Sequence, residues 1–396
     1  MKTPSKTYCH IPYNHIYASP FGTYALCSKS HTPVSTLLKY KTYEHLPFDV
    51  FFSEEMEQIR IDMDEGKIIP ECEWCDKIEE ANGGQGSERQ RWNKEVENKA
   101  NGLKYRQITP HSVNFKVRFY GTYCNIECFM CPPSESASRY EFIKRNNIDR
   151  EYFKLGNNQK QEEIVTNDHF EKVLQNIVEN AEYINWIEFM GGETLQLPRV
   201  FKFMEQIPDH LAENIGIFIS TNMTKLTYKG KDVNEWFKRF KSVHCKFSID
   251  HYQDEKLKWI RYPINPDDVR RNLDHIKNNY DNWDIYVAPT ATILNLEDLD
   301  NTVEYWMNGW DLKVNEYMGI ACQETHSVRN HPRKHLFNNS KYDQAGLLNG
   351  EINKSFDPKY YNRAIEYWDL LDNIRGTNWR KLWDFEPIDL IQMRQL

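Results

Sequence analysis

The stretch that decides the fold is NFKVRFYGTYCNIECFMC, residues 114–131. Its first half, NFKVRFY, alternates apolar and polar residues and is rich in β-formers, so it predicts a strand. Its second half is a loop with three cysteines, Cys124, Cys128 and Cys131. Where strands alternate with helices, ligands bind at the carboxyl ends of the strands, so the cysteines fall where a site is expected. Thiolates suit iron–sulfur clusters and zinc. A structural zinc or an electron-transfer cluster takes four ligands. Three cysteines with no fourth nearby leave a coordination position open. A zinc site completed by a distant histidine, His111 or His169, is the alternative on spacing alone.

Downstream of this stretch the pattern becomes regular. Further strands are predicted at INWIEFM (184–190), IGIFIS (215–220), VHCKFSI (243–249), DIYVAPTA (284–291) and KVNEYMGI (313–320). Between them apolar residues recur at helical spacing: Phe170, Val173, Leu174 and Ile177; Val200, Phe203 and Met204; Val233, Trp236 and Phe237; Val269, Leu273 and Ile276; Leu299, Val303 and Trp306. Six strands in strict alternation with helices predict an α/β fold with a parallel sheet and right-handed crossovers. An open sheet and a partial barrel both fit the pattern. The tail from Phe356 carries one more amphipathic helix, with Tyr361, Ala364, Ile365, Trp368 and Leu371 on one face.

The chain has 396 residues, 40% of them hydrophobic and 14% aromatic, which suffices for a large core. Its formal net charge of −8 argues against a chain whose main task is to grip a nucleic-acid backbone. No stretch approaches the ~18 apolar residues of a membrane span. The first residues, MKTPSKTYCHIPYNHIY, lack an apolar signal segment. The expected compartment is therefore the reducing cytoplasm, where nine cysteines point to metal or redox chemistry rather than disulfides.

Four of those cysteines precede the regular region. Cys9 and Cys27 bracket Gly22 as C-x12-G-x4-C, and Cys72 and Cys75 form a C-x2-C knuckle. Together they make a complete ligand set for one cluster or one zinc. A charged stretch from about Asp76 to Pro110 follows, with a helical middle that Ser87 can cap.

CNIECFMC (124–131), placed after the first strand of an alternating βα array, resembles the CxxxCxxC motif of the radical SAM superfamily. The resemblance covers roughly residues 112–325. It implies a six-stranded (β/α)6 partial TIM barrel and a [4Fe–4S] cluster whose open iron binds S-adenosylmethionine (SAM). Reductive cleavage of SAM would give a 5′-deoxyadenosyl radical that abstracts a hydrogen from the substrate. By the same likeness Gly191, Gly192 and Glu193, at the second strand end, would hold the SAM amino group. Asn222 and Ser248 would line its pocket, and Arg261 would meet its carboxylate. Ile293 and Asn295 are candidates near the adenine. Two departures stand out: Met130 where an aromatic is common, and Thr194 where proline is.

The C-x12-G-x4-C half resembles the opening of the twitch and SPASM modules that carry auxiliary [4Fe–4S] clusters beside such barrels. Those modules usually follow the barrel, whereas this one precedes it. The implied organisation is a small cysteine-rich module at 1–80, a connector at 81–111, the barrel at 112–325 and a helical extension at 326–396. Zinc is the alternative metal at the amino-terminal set. The companions of such modules imply a peptide or protein side chain as substrate, with a small metabolite or nucleotide as the alternative, and a flavodoxin or ferredoxin as electron donor. A non-catalytic zinc adaptor is the rival from another class. Cys245 reads as a core residue, and Cys322, past the last strand, as a hydrogen-atom donor or an inert thiol. The basic segment at 326–339 reads as a solvated loop or a grip for an acidic group.

Overall fold

The computed structural model describes residues 5–18, 22–30, 36–81, 86–98, 108–117, 121–148, 165–314, 319–320, 326–334, 342 and 352–387. Its centre is one sheet of eight strands: β1 (His15–Ala18), β2 (Tyr24–Ala25), β3 (Val113–Val117), β4 (Ile184–Phe189), β5 (Gly216–Thr221), β6 (Ser242–Phe247), β7 (Trp283–Val287) and β8 (Lys313–Val314). The spatial order is β8-β7-β6-β5-β4-β3-β1-β2. All neighbours are parallel except β1 and β2. The strands β3 to β8 overlap the six stretches expected as strands, of which residues 118–120 and 315–318 lie outside the described residues.

The other two correct the expectation of a six-stranded sheet. β1 continues the sheet past β3, with His15, Ile16 and Tyr17 opposite Asn114, Phe115 and Lys116. A four-residue strand and a two-residue strand carry too little alternation to be read from sequence. The physical gain is clear: without β1, the edge of β3 would present unpaired N–H and C=O groups.

Helices fill the connections: α1 (Glu54–Asp64), α2 (Glu73–Ala81), α3 (Glu88–Asn98), α4 (Ala137–Arg145), α5 (Asn167–Glu179), α6 (Pro198–Gln206), α7 (Asp254–Ile260), α8 (Pro266–Asn279), α9 (Leu299–Trp310) and α10 (Pro358–Arg375). Their starts follow side-chain chemistry. Thr166 accepts the His169 N–H ahead of α5 at 3.2 Å, and Ser87 accepts the Gln90 N–H ahead of α3 at 3.1 Å. Asn265, with Pro266 at the first position, starts α8.

The two faces of the sheet differ in chemistry. Phe115, Ile187, Phe189, Ile217, Ile219, Val243, Cys245, Phe247 and Val287 are buried against the helices. Cys245 is thus a core residue. Alternate positions carry Asn114, Lys116, Trp186, Glu188, Phe218, Ser220, His244, Lys246 and Tyr286 on the opposite face. A sheet with one apolar and one polar, partly accessible face is what a partial barrel around a site requires.

A second apolar cluster lies apart from the sheet core. It joins Ile126, Phe129 and Met130 of the cysteine loop to Trp259, Ile260, Ile293 and Leu294 and to Tyr361, Ala364, Ile365, Trp368 and Leu371 of α10. The carboxyl-terminal helix therefore covers the cysteine loop. The segment expected as a solvated basic loop also differs. His326, Asn330 and His331 are fully buried, and Arg333 pairs with Glu297 at 2.6 Å and Asp384 at 3.0 Å. Residues 335–339 lie outside the described residues. Among the described residues no helix is long and apolar enough to cross a membrane.

Candidate active site

The cysteine loop is held from three sides. From the next strand end, the Gly192 N–H donates to Glu135 O at 2.9 Å and the Glu193 N–H to Tyr123 O at 2.7 Å. From the α7 end, the Phe129 N–H donates to Ile260 O at 3.0 Å and the Glu127 N–H to Tyr262 O at 2.6 Å. From α10, Arg375 Nη2 donates to Glu127 O at 2.7 Å. The two glycines are required by close approach. Gly191 and Gly192 have φ of +94° and +58°, and a Cβ on Gly192 would stand 2.1 Å from Tyr123 O.

The three thiols form one electrostatic group. Burial raises Cys131 far above the ordinary thiol range, and Cys128 and Cys124 raise it further. Burial likewise raises Cys124, then Cys128 and Glu193. Burial raises Cys128 too, with Arg261 acting the other way. Donors already point at the sulfurs: Asn222 Nδ2 lies 3.9 Å from Cys124 Sγ and Arg261 Nη1 3.8 Å from Cys128 Sγ. One buried and two half-buried thiols, whose thiolates would repel one another, fit a soft cationic metal centre that would offset that charge. Among the described residues, no three His, Cys, Asp or Glu side chains are posed to hold a metal ion between them. The histidines considered as a fourth ligand are engaged elsewhere: His169 Nε2 lies 2.9 Å from Thr42 O and His111 Nδ1 3.3 Å from Ile184 O.

Glu193 is buried beside this group. Its carboxylate accepts from the Leu195 N–H at 3.1 Å, the Thr221 hydroxyl at 2.6 Å and the Asn222 N–H at 2.7 Å. A carboxylate has about four lone-pair sites, so one acceptor position remains. Burial is the largest influence on Glu193 and raises its pKa, while the Asn222 and Thr221 donors oppose it. Asn222 reaches both halves of the site, with its backbone on Glu193 and its amide on Asn125 Oδ1 at 2.9 Å.

The remaining predicted residues divide. Arg261 is buried and meets Asp250 at 2.6 Å, an ion pair the sequence reading missed although Asp250 lies two residues past Ser248. Burial disfavours the Arg261 charge, but Asp250 and the Cys128 sulfur hold its pKa above the usual value. Ser248 is half-buried at the end of β6, its N–H on Thr221 O at 2.9 Å. Asn295 is a loop stitch, its amide donating to Asp250 O at 3.1 Å and Thr290 O at 3.0 Å. Ile293 is buried in the second apolar cluster. Cys322 lies outside the described residues. Arg139 and Arg375 had no sequence signal; Arg139 is buried and Arg375 half-buried around the loop, and desolvation lowers them to about 9 and about 10.

The amino-terminal cysteines share the lining of one cavity. Cys9, Cys27, Cys72 and Cys75 line a cavity of about 10 Å³ together with Ile11, Leu26 and Met63. Burial raises Cys9, then Cys72, against a bond from the Ile11 N–H. Burial also pushes Cys27 up to about 11, against the Lys29 N–H at 3.4 Å. The Arg89 N–H approaches Cys75 in the same manner. Gly22, singled out by its spacing, has φ of +75°. The charged stretch folds back here: Arg89 pairs with Glu79 at 2.6 Å and Asp76 at 2.7 Å.

Three comparisons bear on this arrangement. Residues 119–305 match the model of the Radical SAM superfamily. No curated protein matches the chain. Among solved structures, the chain is similar to Streptococcus suis SuiB bound to precursor peptide SuiA, at 13% identity over 96% of this chain and 71% of that one, with a TM-score of 0.36. It is similar to SuiB bound to S-adenosylmethionine at 13% identity over 95% of this chain and 72% of that one, with a TM-score of 0.33.

Proposed function

We propose that this chain, an enzyme of the radical SAM class through its domain at residues 119–305, modifies a peptide or protein side chain and carries two clusters. In this reading Cys124, Cys128 and Cys131 ligate the cluster that binds SAM, and Cys9, Cys27, Cys72 and Cys75 ligate the auxiliary one. The chemistry supplied by the first cluster, when bound, is one-electron reduction of the SAM sulfonium, giving methionine and a 5′-deoxyadenosyl radical. A flavodoxin or ferredoxin of the cytoplasm would deliver the electron.

One observation carries the reading. The Glu193 N–H donates to Tyr123 O beside Cys124 and the Gly192 N–H to Glu135 O just past Cys131, which supports reading the three thiols and the buried carboxylate as parts of one site. The fourth acceptor position of Glu193 suits the SAM ammonium, a charge-assisted bond. Asn222 orients Glu193 and the Cys124 loop together. Arg261, its charge offset by Asp250, stands beside Cys128 and attracts a stray anion less than a free guanidinium would. Ser248 contributes a small hydroxyl to the same rim.

The test is anaerobic reconstitution followed by incubation with SAM and dithionite. Formation of 5′-deoxyadenosine by the wild-type chain, and its loss in the Cys124→Ala/Cys128→Ala/Cys131→Ala variant, is the expected result. A reconstituted wild-type chain that never forms it defeats the proposal.

A further inference from the structure

Arg375, the last residue of α10, brings to the cysteine loop a charge that the site described above does not use. Its Nη2 donates to Glu127 O at 2.7 Å, between Cys124 and Cys128 in the chain, and its Nη1 to Trp259 O at 3.2 Å. Rings enclose the guanidinium: its carbon lies 4.8 Å from the Tyr262 centroid, 5.5 Å from that of Phe142 and 5.8 Å from that of Trp259. Nε is buried and has no hydrogen-bond partner among the described residues. The planar fork is thus held by two directed bonds and by ring faces, which fixes the charge in space.

That charge is not cancelled where it sits. Both of its hydrogen bonds go to neutral carbonyl oxygens, and among the described residues no carboxylate forms an ion pair with it. Desolvation lowers Arg375 to about 10, with Glu127, Cys128 and Asp372 acting the other way, so it stays protonated near neutrality. The two acids are engaged elsewhere. The Glu127 carboxylate lies 4.0 Å from Arg145. Asp372 accepts from Trp259 Nε1 at 2.7 Å, from the Thr377 hydroxyl at 2.5 Å and from the Trp379 N–H at 2.6 Å. Arg261, on the same loop, is the contrast, because Asp250 pairs with it at 2.6 Å. The Arg375 charge favours the Cys128 thiolate, against the burial that disfavours it.

A metal–sulfur cluster gains one negative charge on reduction, and its potential follows the net charge and burial around it. A fixed positive charge stabilises the reduced form, the more so where the local dielectric is low. We infer that Arg375, clamped on the backbone between Cys124 and Cys128, raises the reduction potential of the cluster those thiolates hold and so eases its reduction. The step concerned is the transfer of one electron from a donor of the flavodoxin or ferredoxin class to the oxidised cluster. The donor is oxidised, the cluster is reduced, and no bond is made or broken. The inference rests on the cluster reading proposed above and adds what sets the potential.

The experiment is an EPR-monitored redox titration of the reconstituted full chain, with dithionite as reductant, on wild type, Arg375→Lys and Arg375→Gln. Lysine keeps the charge and loses the two-pronged bonding. Glutamine keeps an N–H donor for the carbonyls and loses the charge. The signal that changes on adding SAM reports the cluster at this loop, and a signal that does not change is the internal control. In Arg375→Gln the equilibrium constant for reducing the SAM-responsive cluster should fall about tenfold, about 59 mV for one electron, while Arg375→Lys stays near wild type and the control does not move. Equal potentials in wild type and Arg375→Gln overturn the inference. So does an equal fall in both variants, since bonding and not charge would then set the potential. Loss of the SAM-responsive signal from both variants marks a purely structural clamp and overturns it as well. A wild-type chain with no SAM-responsive signal defeats the cluster reading, and the inference falls with it. A SAM-responsive signal whose potential ignores the charge defeats the inference alone.

Discussion

At Gly192 one hydrogen in place of a methyl group decides whether the cysteine loop can seat. A Cβ there would meet Tyr123 O at 2.1 Å, and φ is +58°. Gly192→Ala should therefore displace the loop, cost about 2–4 kcal/mol of stability and reduce bound iron. Gly230→Ala is the control: φ is +76° but nothing stands within 4 Å of its Cβ. It should cost only about 1 kcal/mol and leave the iron content unchanged. Denaturant unfolding with iron analysis reads both. Glu188 gives a second prediction at this scale. Burial disfavours its charge, but Lys116 and Lys246 outweigh that and lower it to about 2 from 4.5. A depressed carboxylate contributes stability that is present above the unfolded pKa and is lost as pH falls toward the folded one. The stability difference between wild type and Glu188→Gln should therefore be on the order of 3 kcal/mol near neutrality and shrink from pH 4.5 toward pH 2. Urea titrations across that range check it; a difference independent of pH contradicts it.

Among the elements, α10 has the least expected role. Its apolar face was legible in the sequence because its residues recur at helical spacing. Its partner was not, because periodicity says which face is buried but not against what. The partner is the cysteine loop, through Trp368, Leu371 and the arginine at the helix end. Trp368→Ala should cost about 3–5 kcal/mol, the usual range for emptying a large buried site, and should lower iron at the loop more than at the amino-terminal cysteines. Strands β3 to β7 were readable for a similar reason: each carries enough β-branched and aromatic residues to show a pattern. β1 was not readable, because four residues, His15–Ala18, cannot be told from a loop without the edge they pair with.

For the whole molecule, the sheet joins what the sequence divided. The amino-terminal segment supplies β1 and β2 to the same sheet that carries the cysteine loop after β3. Cys9, Leu26 and Met63 share one apolar core with the strands of the βα repeats. Removing residues 1–80 should therefore expose the β3 edge and give an aggregating chain rather than a free-standing barrel, a result size-exclusion chromatography reads directly. The place of Cys124, Cys128 and Cys131 after one strand, and of Gly191–Glu193 after the next, was legible because residue type and spacing carry it. The Arg261–Asp250 pair, the guanidiniums of Arg139 and Arg375 and the Lys116–Glu188–Lys246 triad were not, since each depends on residues brought together from separate elements. The central claim, two separate cysteine-held clusters, is tested most directly by iron and acid-labile sulfide per chain after anaerobic reconstitution. The account predicts about eight irons in the wild type and about four in each variant lacking one cysteine set, Cys124/Cys128/Cys131 or Cys9/Cys27/Cys72/Cys75. A colourless chain carrying zinc, or iron that vanishes entirely with the first set alone, would contradict it.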